Sequence, residues 1–234
     1  MKILALDSTA TVASVALTED EALLAEYTVL NGNTHSETLL PMIKSALETF
    51  GTQPRDIGLF AVSEGPGSFT GVRIGVATVK GLAFDSKTPC VGISTLEALA
   101  YNLVGFAGLI CPVMNARRSQ VYTALVRSDG ESITRLTEDC AISIAELDEL
   151  LSEYTEPVRF CGDGYDITLP ELKKCEYLPT PIRLRSQSAY SVAVCALKKY
   201  KNGESVSDTA LVATYLRLSQ AERELAEKNK ASEK

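Results

Sequence analysis

A glycine-rich turn with the composition of an anion-binding loop lies near residue 65, in the stretch Gly65-Pro66-Gly67-Ser68. It follows an apolar run at residues 57–62, which predicts a strand, and precedes a segment of small apolar residues at 72–84, which predicts a helix. Such a turn can bind phosphate, because unpaired backbone N–H groups point outward at a helix N-terminus. The stretch matches neither the lysine-containing P-loop nor the three-glycine dinucleotide pattern, so phosphate binding is one of three interpretations.

The other two interpretations concern how the predicted helix packs. Gly71 and Gly75 are four residues apart and share one face of a helix, where each costs about 1 kcal/mol relative to alanine. They let the helix lie close either to its own sheet or to a partner. Ser68 is predicted to cap the helix N-terminus through its hydroxyl. Spacing alone does not choose among the three interpretations.

The composition excludes several kinds of site. The chain of 234 residues has one histidine, His35, so it cannot form a metal site that needs two imidazoles. Its six cysteines include no C-x-x-C pair, which favours buried free thiols over disulfides or zinc. A formal net charge of −7 disfavours direct nucleic-acid binding. Without a bilayer-length apolar run or a signal-peptide pattern at the start, we expect a cytoplasmic protein with no membrane contact.

The elements that position these residues follow from apolar periodicity. Three strands joined by short polar turns open the chain, and Thr34 with Glu37 has the spacing of a capping box at the next helix. The predicted order is βββαβαβα, with strands at 3–6, 12–17, 23–29, 57–62 and 90–93 and helices at 34–50, 68–84 and 94–104.

The second part of the chain is predicted to repeat this order. Strands are predicted at 109–114, 120–126, 132–136 and 158–161, and helices at 144–151 and 188–200. Ala16-Leu17 follows Asp7 at the same spacing at which Ala124-Leu125 follows Asn115. This match hints at a duplication, but chance strand spacing explains it equally well.

Two βββαβα units around a cleft predict an α/β fold with two RNase H-like domains, of the type found in actin, sugar kinases and heat-shock ATPases. We predict domains at 1–105 and 106–220, with the last helix able to pack back on the first domain, and a charged tail at 221–234. In such folds a carboxylate at the end of the first strand, here Asp7, can position hydrated Mg²⁺, while Ser8 and Thr9 can contact phosphate. The alternative for Asp7 is a turn residue that caps its own backbone.

The segment from Gly65 to Gly75, GPGSFTGVRIG, closely resembles the signature of the TsaB (YeaZ) family. That family is the non-catalytic member of the bacterial machinery that makes threonylcarbamoyladenosine in tRNA. Further matching pieces occur in order along nearly the whole chain: Ile3 to Asp7, His35 through Leu40-Pro41, Ile93 to Leu96, Ala116-Arg117 with Val121-Tyr122, and Tyr215-Leu216-Arg217.

The resemblance implies a scaffold that heterodimerises with a catalytic paralogue of the TsaD type, in one complex with a TsaE-type ATPase. TsaD binds ATP and a metal, so this chain would have no cofactor of its own, would serve tRNA indirectly, and could share a nucleotide at the interface. In that family the first two helices of each subunit form a four-helix bundle, and a homodimer is expected without the partner. The implied interface residues are His35, Leu40, Ile43, Leu47, Ser68, Phe69, Thr70, Gly71, Arg73, Gly75 and Leu82.

Two departures from an enzyme's pattern argue against catalysis by this chain. The metal site of TsaD uses histidines four residues apart, whereas Leu39 stands four residues after His35. The family commonly has Asp-Ala-Arg where this chain has Asn115-Ala116-Arg117, and an amide cannot serve as a base or Mg²⁺ partner. We therefore predict no catalytic residue and no metal ligand.

The alternative function is an ATPase or small-molecule kinase of the same fold. It would use Asp7, Ser8 and Thr9 as nucleotide contacts, and its best turn for an adenosine is Cys161-Gly162-Asp163-Gly164. This alternative is supported by similarity of fold, and a fold does not determine function. Contact of Arg117, Arg118 or the tail with tRNA stays open.

Overall fold

A computed structural model describes residues 1–30, 34–84 and 86–217 of the chain. The tail predicted at 221–234 lies outside these residues. The described residues form two β-sheets with helices packed on them, which confirms the predicted α/β class. Among them no helix is long and apolar enough to cross a membrane.

The first sheet has five strands in the order β3-β2-β1-β4-β5. The first three, which were predicted as strands joined by short turns, pair as an antiparallel meander, and β4 and β5 join in parallel. Side chains on both faces of β1 are buried, which explains its unbroken apolar run. The bounds are β1 Lys2–Asp7, β2 Ala13–Glu19, β3 Ala22–Val29, β4 Leu59–Gly65 and β5 Cys90–Ser94.

Two fifteen-residue helices, α1 His35–Thr49 and α2 Phe69–Ala83, cover one face of this sheet. The predicted capping box is present at α1, where the backbone N–H of Thr34 donates to Oε2 of Glu37 at 3.2 Å. Helix α2 begins as predicted after Ser68, whose Oγ accepts from the N–H of Gly71 at 3.3 Å. The apolar positions that bury these helices are Leu39, Met42, Ile43, Ala46, Leu47, Val72, Val76, Val79 and Ala83.

The second sheet repeats the order of the first. Its main path β10-β7-β6-β11-β12 corresponds, position by position, to β3-β2-β1-β4-β5, and two extra strands, β8 and β9, extend from β6. The strands are β6 Gly108–Arg117, β7 Gln120–Thr123, β8 Val126–Ser128, β9 Ile133–Arg135, β10 Cys140–Ser143, β11 Val158–Cys161 and β12 Tyr177–Leu178. The helices of this half are short: α4 Ile144–Leu151, α5 Tyr165–Thr168, and 3-10 turns at Leu169–Glu171 and Ile182–Leu184, with a further turn at Pro54–Asp56 in the first half.

The single strand predicted at 120–126 is wrong, because the chain bends between β7 and β8. The N–H of Leu125 donates to Oγ1 of Thr137 at 2.8 Å, and the carbonyl of Leu125 accepts from Leu136 at 2.8 Å. Ala124 and Leu125 are both buried, so the apolar pattern runs through the bend without a signal. Strand β10 was not predicted.

The spacing match between the two halves does not mark equivalent positions. Ala16 and Leu17 pair with Ala5 and Leu4 inside the first sheet. Ala124-Leu125, their proposed counterpart, lies between two strands. The two halves therefore share their strand order. The residue-by-residue alignment of one half with the other that the sequence suggested is wrong.

The helix after each sheet packs on the other half. Helix α3 Thr95–Tyr101 follows β5 and buries Leu96 and Leu99 with Ile110 and Met114 of the second half. Helix α6 Ala189–Lys201 follows β12 and packs on the free face of the first sheet. The last helix thus packs back on the first half, as the sequence analysis allowed.

Residues 206–217, which we call the C-terminal strap, run along α2 after α6 ends. Val206 pairs with Cys90 at the outer edge of β5 through two backbone hydrogen bonds of 2.8 Å. The Nζ of Lys80 donates to the carbonyl of Leu211 at 3.0 Å, and the Leu211 side chain is buried in the core of the first half. The strap up to Leu211 therefore packs on the first half, although it comes last in the chain.

Candidate functional site

The glycine-rich turn packs tightly against other parts of the same chain. A Cβ at Gly65, where φ is +121°, would lie 2.3 Å from the carbonyl oxygen of Thr214. A Cβ at Gly67 would lie 2.4 Å from the carbonyl oxygen of Thr9, which already accepts from the N–H of Ser68 at 2.7 Å. The turn faces carbonyl oxygens, which repel anions. The phosphate-loop interpretation is therefore not supported.

Gly71 and Gly75, which we call the inner face of α2, lie against the loop between β1 and β2. A Cβ at Gly71 would lie 2.0 Å from the carbonyl oxygen of Ser8, and one at Gly75 would lie 2.6 Å from Oγ of Ser8. That Oγ donates to the carbonyl of Gly71 at 2.8 Å. Close packing within the chain thus explains both glycines. The expectation that they contact a partner is corrected accordingly.

The other expected interface residues divide by exposure. Ile43 and Leu47 point into the core of the first half, because α1 uses them to cover the sheet, and their assignment to a partner surface is corrected too. Leu82 is half-buried against the same core. Two residues, His35 and Phe69, are partly exposed, and four are exposed: Leu40, Ser68, Thr70 and Arg73.

His35 joins the start of α1 to the β1–β2 loop. Its Nε2 lies 2.7 Å from the carbonyl oxygen of Ala10. A carbonyl only accepts, so Nε2 carries the proton and donates. The ring also lies beside the inner face, since a Cβ at Gly71 would be 3.3 Å from Cδ2 of His35. This contact gives the lone histidine a structural role.

The exposed side of α2 carries a stripe of residues, which we call the outer face: Thr70, Arg73, Ala77 and Gly81, followed by Phe84 after the helix end. Their spacing of three or four residues places them along one side of the helix. Phe84 is 75% exposed, and Leu40 on the adjacent α1 is 58% exposed. Apart from Gly81 itself, its two chain neighbours and the adjacent backbone of α2, no heavy atom of the described residues lies within 4 Å of the position that a Cβ at Gly81 would take. Packing among these residues therefore does not explain Gly81.

Asp7 is enclosed by the chain itself. Its carboxylate accepts from Oγ of Ser63 at 2.5 Å and from N and Oγ1 of Thr9 at 2.9 and 2.8 Å. Burial raises the pKa of Asp7 above its ordinary value, although these hydrogen bonds and nearby His35 oppose the rise. The alternative interpretation of Asp7, a turn residue that caps its own backbone, is confirmed.

A phosphate or Mg²⁺ does not fit on Asp7, Ser8 and Thr9 in this conformation. All three side chains are buried, with exposed fractions of 1% or less. The hydroxyls of Ser8 and Thr9 donate to Gly71 and Asp7. Across the described residues, no group of three or more histidine, cysteine, aspartate and glutamate side chains could hold a metal.

The hairpin between β6 and β7 has an unusual backbone. Arg117, Arg118 and Ser119 have φ values of +62°, +55° and +56°, which are costly for residues other than glycine. Oδ1 of Asn115 accepts from the N–H of Arg117 at 2.8 Å, and the N–H of Asn115 donates to Asp163 at 3.2 Å. Asn115 thus stabilises the turn. Burial raises the pKa of Asp163, and the nearby Asp7 adds to the rise.

A cluster around Tyr215 was missed by the sequence analysis. The Tyr215 and Phe69 rings lie 4.6 Å apart, and the guanidinium of Arg73 lies 3.9 Å from the centre of the Phe69 ring. Nε of Arg73 donates to the Tyr215 hydroxyl at 3.0 Å. Two residues on, Nη1 of Arg217 donates to the carbonyl of Ala116 at 2.7 Å. The only sign of this cluster in the sequence was that Tyr215-Leu216-Arg217 is one of the segments that resemble the TsaB (YeaZ) family.

All six cysteines are free thiols with raised pKa values, because each is at least partly buried. Burial raises the pKa of Cys90 to about 11 and that of Cys111 to about 12. The other four are raised for the same reason: Cys140, Cys161, Cys175 and Cys195. This agrees with the expectation of buried free thiols.

Two sheets of the same strand order, with helices exchanged between the halves, define the α/β class of actin-like and sugar-kinase folds. An uncharacterized Pseudomonas aeruginosa protein with similarity to peptidase YeaZ has the same fold, with a TM-score of 0.74, 24% identity, and coverage of 92% of this chain and 99% of that one. YeaZ from Pseudomonas aeruginosa follows, with a TM-score of 0.71 and 24% identity over the same shares.

Sequence comparison narrows the class to one family. The family model described as TsaD, tRNA N6-adenosine threonylcarbamoyltransferase, matches residues 29–228. The tRNA threonylcarbamoyladenosine biosynthesis protein TsaB of Bacillus subtilis is 33% identical over 231 residues, or 98% of this chain and 100% of the relative. TsaB of Escherichia coli is 36% identical over 149 residues, or 63% of this chain and 64% of the relative. The chain belongs to the TsaB (YeaZ) family.

Proposed function

We propose that this chain is a non-catalytic scaffold for threonylcarbamoyladenosine formation on tRNA, and that it heterodimerises with a TsaD-type catalytic subunit through the outer face of α2 and the adjacent part of α1. Its relatives are named for threonylcarbamoyladenosine biosynthesis on tRNA. The observation that carries the proposed mode of action is Gly81, a glycine within a helix with open space where its Cβ would be. Glycine within a helix costs about 1 kcal/mol relative to alanine. A helix tolerates this cost where another backbone must approach closely.

The outer face has the chemistry of a helix-packing surface. Small residues at Ala77 and Gly81 let a second helix approach, and large apolar side chains at Leu40 and Phe84 can be covered by it. Exposed apolar groups of this kind favour association, because burial removes them from water. The same surface would form a homodimer when the partner is absent.

The proposal leaves the chemistry to the partner. Asp7 has its carboxylate occupied by Ser63 and Thr9, and His35 is engaged with Ala10. We therefore place ATP and the metal on the TsaD-type subunit, with a nucleotide able to lie at the interface and a TsaE-type ATPase in the same complex. The net charge of −7 supports an indirect role toward tRNA. The ATPase or kinase alternative would need the β1–β2 loop to open, and no observation favours it.

The test is light scattering after size exclusion on the chain mixed with the TsaD homologue of the same organism. We expect a heterodimer that is lost with Ala77→Arg, because the substitution places a charged side chain in the packed helix surface. The matched control is Ala145→Arg, which makes the same change at an exposed position of α4 in the other half. A heterodimer that survives Ala77→Arg, or fails equally with Ala145→Arg, would contradict the proposed surface.

A further inference from the structure

The end of the C-terminal strap contacts two separate parts of the molecule within three residues. Tyr215 contacts the first turns of α2, and Arg217 contacts the hairpin between β6 and β7. Only Leu216 separates them. A link this short has little freedom to absorb a displacement at either end.

The α2 end of the link is held by several contacts. Tyr215 stacks on Phe69 and accepts from Nε of Arg73, whose guanidinium also covers the Phe69 ring. The N–H of the preceding Thr214 donates to the carbonyl of Glu64 at 2.7 Å. Arg73 is exposed and belongs to the outer face, so anything that binds there meets the group that holds Tyr215.

At its other end, the link contacts the hairpin next to residues whose backbone conformation is energetically unfavourable. Arg217 donates to the carbonyl of Ala116, directly before the three residues with positive φ at 117–119. Non-glycine residues hold such a conformation when surrounding contacts fix it. The bonds from Arg217 to Ala116 and from Arg117 to Asn115 are two of these contacts. One of them comes from the strap.

We propose that Tyr215 and Arg217 are positioning residues that couple the outer face of α2 to the β6–β7 hairpin and so restrain its two arginines, Arg117 and Arg118. A protein bound on the outer face fixes Arg73, Arg73 fixes Tyr215, and the strap transmits the restraint to the hairpin. Coupling of binding free energies is reciprocal, so a restrained hairpin also favours binding at the outer face. The coupling within the chain is independent of the proposed function, and only its use by a TsaD-type subunit rests on it.

The test is amide hydrogen exchange of residues 117–121 in the isolated chain. We expect Arg73→Ala to speed this exchange about fivefold, the change that accompanies loss of one net hydrogen bond, although the contacts found for Arg73 are to Phe69 and Tyr215 and not to the hairpin. Tyr215→Phe, which keeps the ring and removes the hydroxyl, should act in the same direction. The control is Lys44→Ala, which removes an exposed cation from α1 and should leave the hairpin unchanged.

A double variant distinguishes coupling from two separate anchors. We expect Arg217→Ala to speed hairpin exchange about fivefold, Arg217→Lys to restore part of the protection, and Arg73→Ala to add nothing once Arg217 is replaced. Additive effects, or hairpin exchange that is unchanged in Arg73→Ala or in Arg217→Ala, would overturn the proposal. Tyr215→Phe gives the same decision from a milder change if the alanine variants fail to fold.

Partner affinity separates this proposal from the previous one. We expect Arg217→Ala to weaken binding of the TsaD-type protein about fivefold, although Arg217 lies outside the outer face. If the wild-type chain does not bind that protein, the proposed function fails while the exchange result still decides the coupling. If the wild-type chain binds and Arg217→Ala binds equally well, the use of the coupling by the partner is overturned.

Discussion

The two faces of helix α2 carry glycines for different reasons. On the inner face, Gly71 and Gly75 make room for the β1–β2 loop of the same chain, whose Ser8 would collide with any side chain there. On the outer face, Gly81 has open space among the described residues. The glycines of one face therefore fit the packing within the fold, whereas the glycine of the other face meets no neighbouring group among the described residues. The comparison shows that small residues indicate close approach but do not identify the approaching element.

The largest change in stability is expected from a substitution on the inner face. Gly75→Leu should lower the free energy of unfolding by about 3 kcal/mol, because the side chain would overlap Oγ of Ser8 and Cγ2 of Val62, 2.6 and 3.2 Å from the Cβ position. Denaturant unfolding of the isolated chain measures it. A Gly75→Leu variant that is as stable as the wild type would show that the inner face is not closed in solution. Loss of partner binding in this variant would report unfolding and not the interface.

A smaller effect of opposite sign is expected on the outer face. Gly81→Ala should raise the free energy of unfolding of the isolated chain by about 1 kcal/mol, because alanine is the better helix former and its Cβ meets open space. The matched change on the inner face, Gly75→Ala, should lower it, since its Cβ would lie 2.6 Å from Ser8. If both alanine substitutions change the free energy of unfolding in the same direction, the proposed distinction between the two faces is wrong.

The smallest change in stability is expected from a substitution in the β1–β2 loop, which lies against the inner face. Burial raises the pKa of Asp7 above 3.8 in the folded state, so its contribution to stability is complete below pH 3.8 and is lost as the pH rises through the folded pKa. Asp7→Asn should flatten this dependence and change stability at pH 7 by less than about 1 kcal/mol, because the amide oxygen can still accept from Thr9.

Thermal unfolding between pH 4.5 and 8 measures this slope. Asp129 provides the control, because hydrogen bonds lower its pKa to about 2, and Asp129→Asn should leave the slope in this range unchanged. If Asp7→Asn unfolds the chain at every pH, the carboxylate itself is required by the loop. A slope identical to that of the wild type would show that the buried carboxyl does not titrate differently on folding.

Local patterns in the sequence predicted most of the fold. The Thr34–Glu37 capping box, the Ser68 cap and the bounds of α4 and β11 agree with the structure, because caps and apolar periodicity are local. The bend at 124–125 was missed, since both of its residues are buried and continue the apolar pattern.

The site was predicted less well, because its contacts are far apart in the sequence. Ser8 meets Gly71 across 63 positions, and Arg73 meets Tyr215 across 142. A spacing of four on a helix places two glycines on one face but does not say what that face meets. That is why the spacing of Gly71 and Gly75 left their neighbour open, and why the resemblance alone assigned them to a partner.

The raised pKa values of the native thiols make the outer face open to selective chemical labelling. Alkylating reagents react with thiolates, and an exposed cysteine has an ordinary pKa of about 8.5. Cys90 and Cys111, with pKa values of about 11 and about 12, hold far less thiolate at neutral pH. A Gly81→Cys variant would therefore take up a maleimide dye well before the native thiols. A fluorophore there would report directly on whatever approaches that side of the helix.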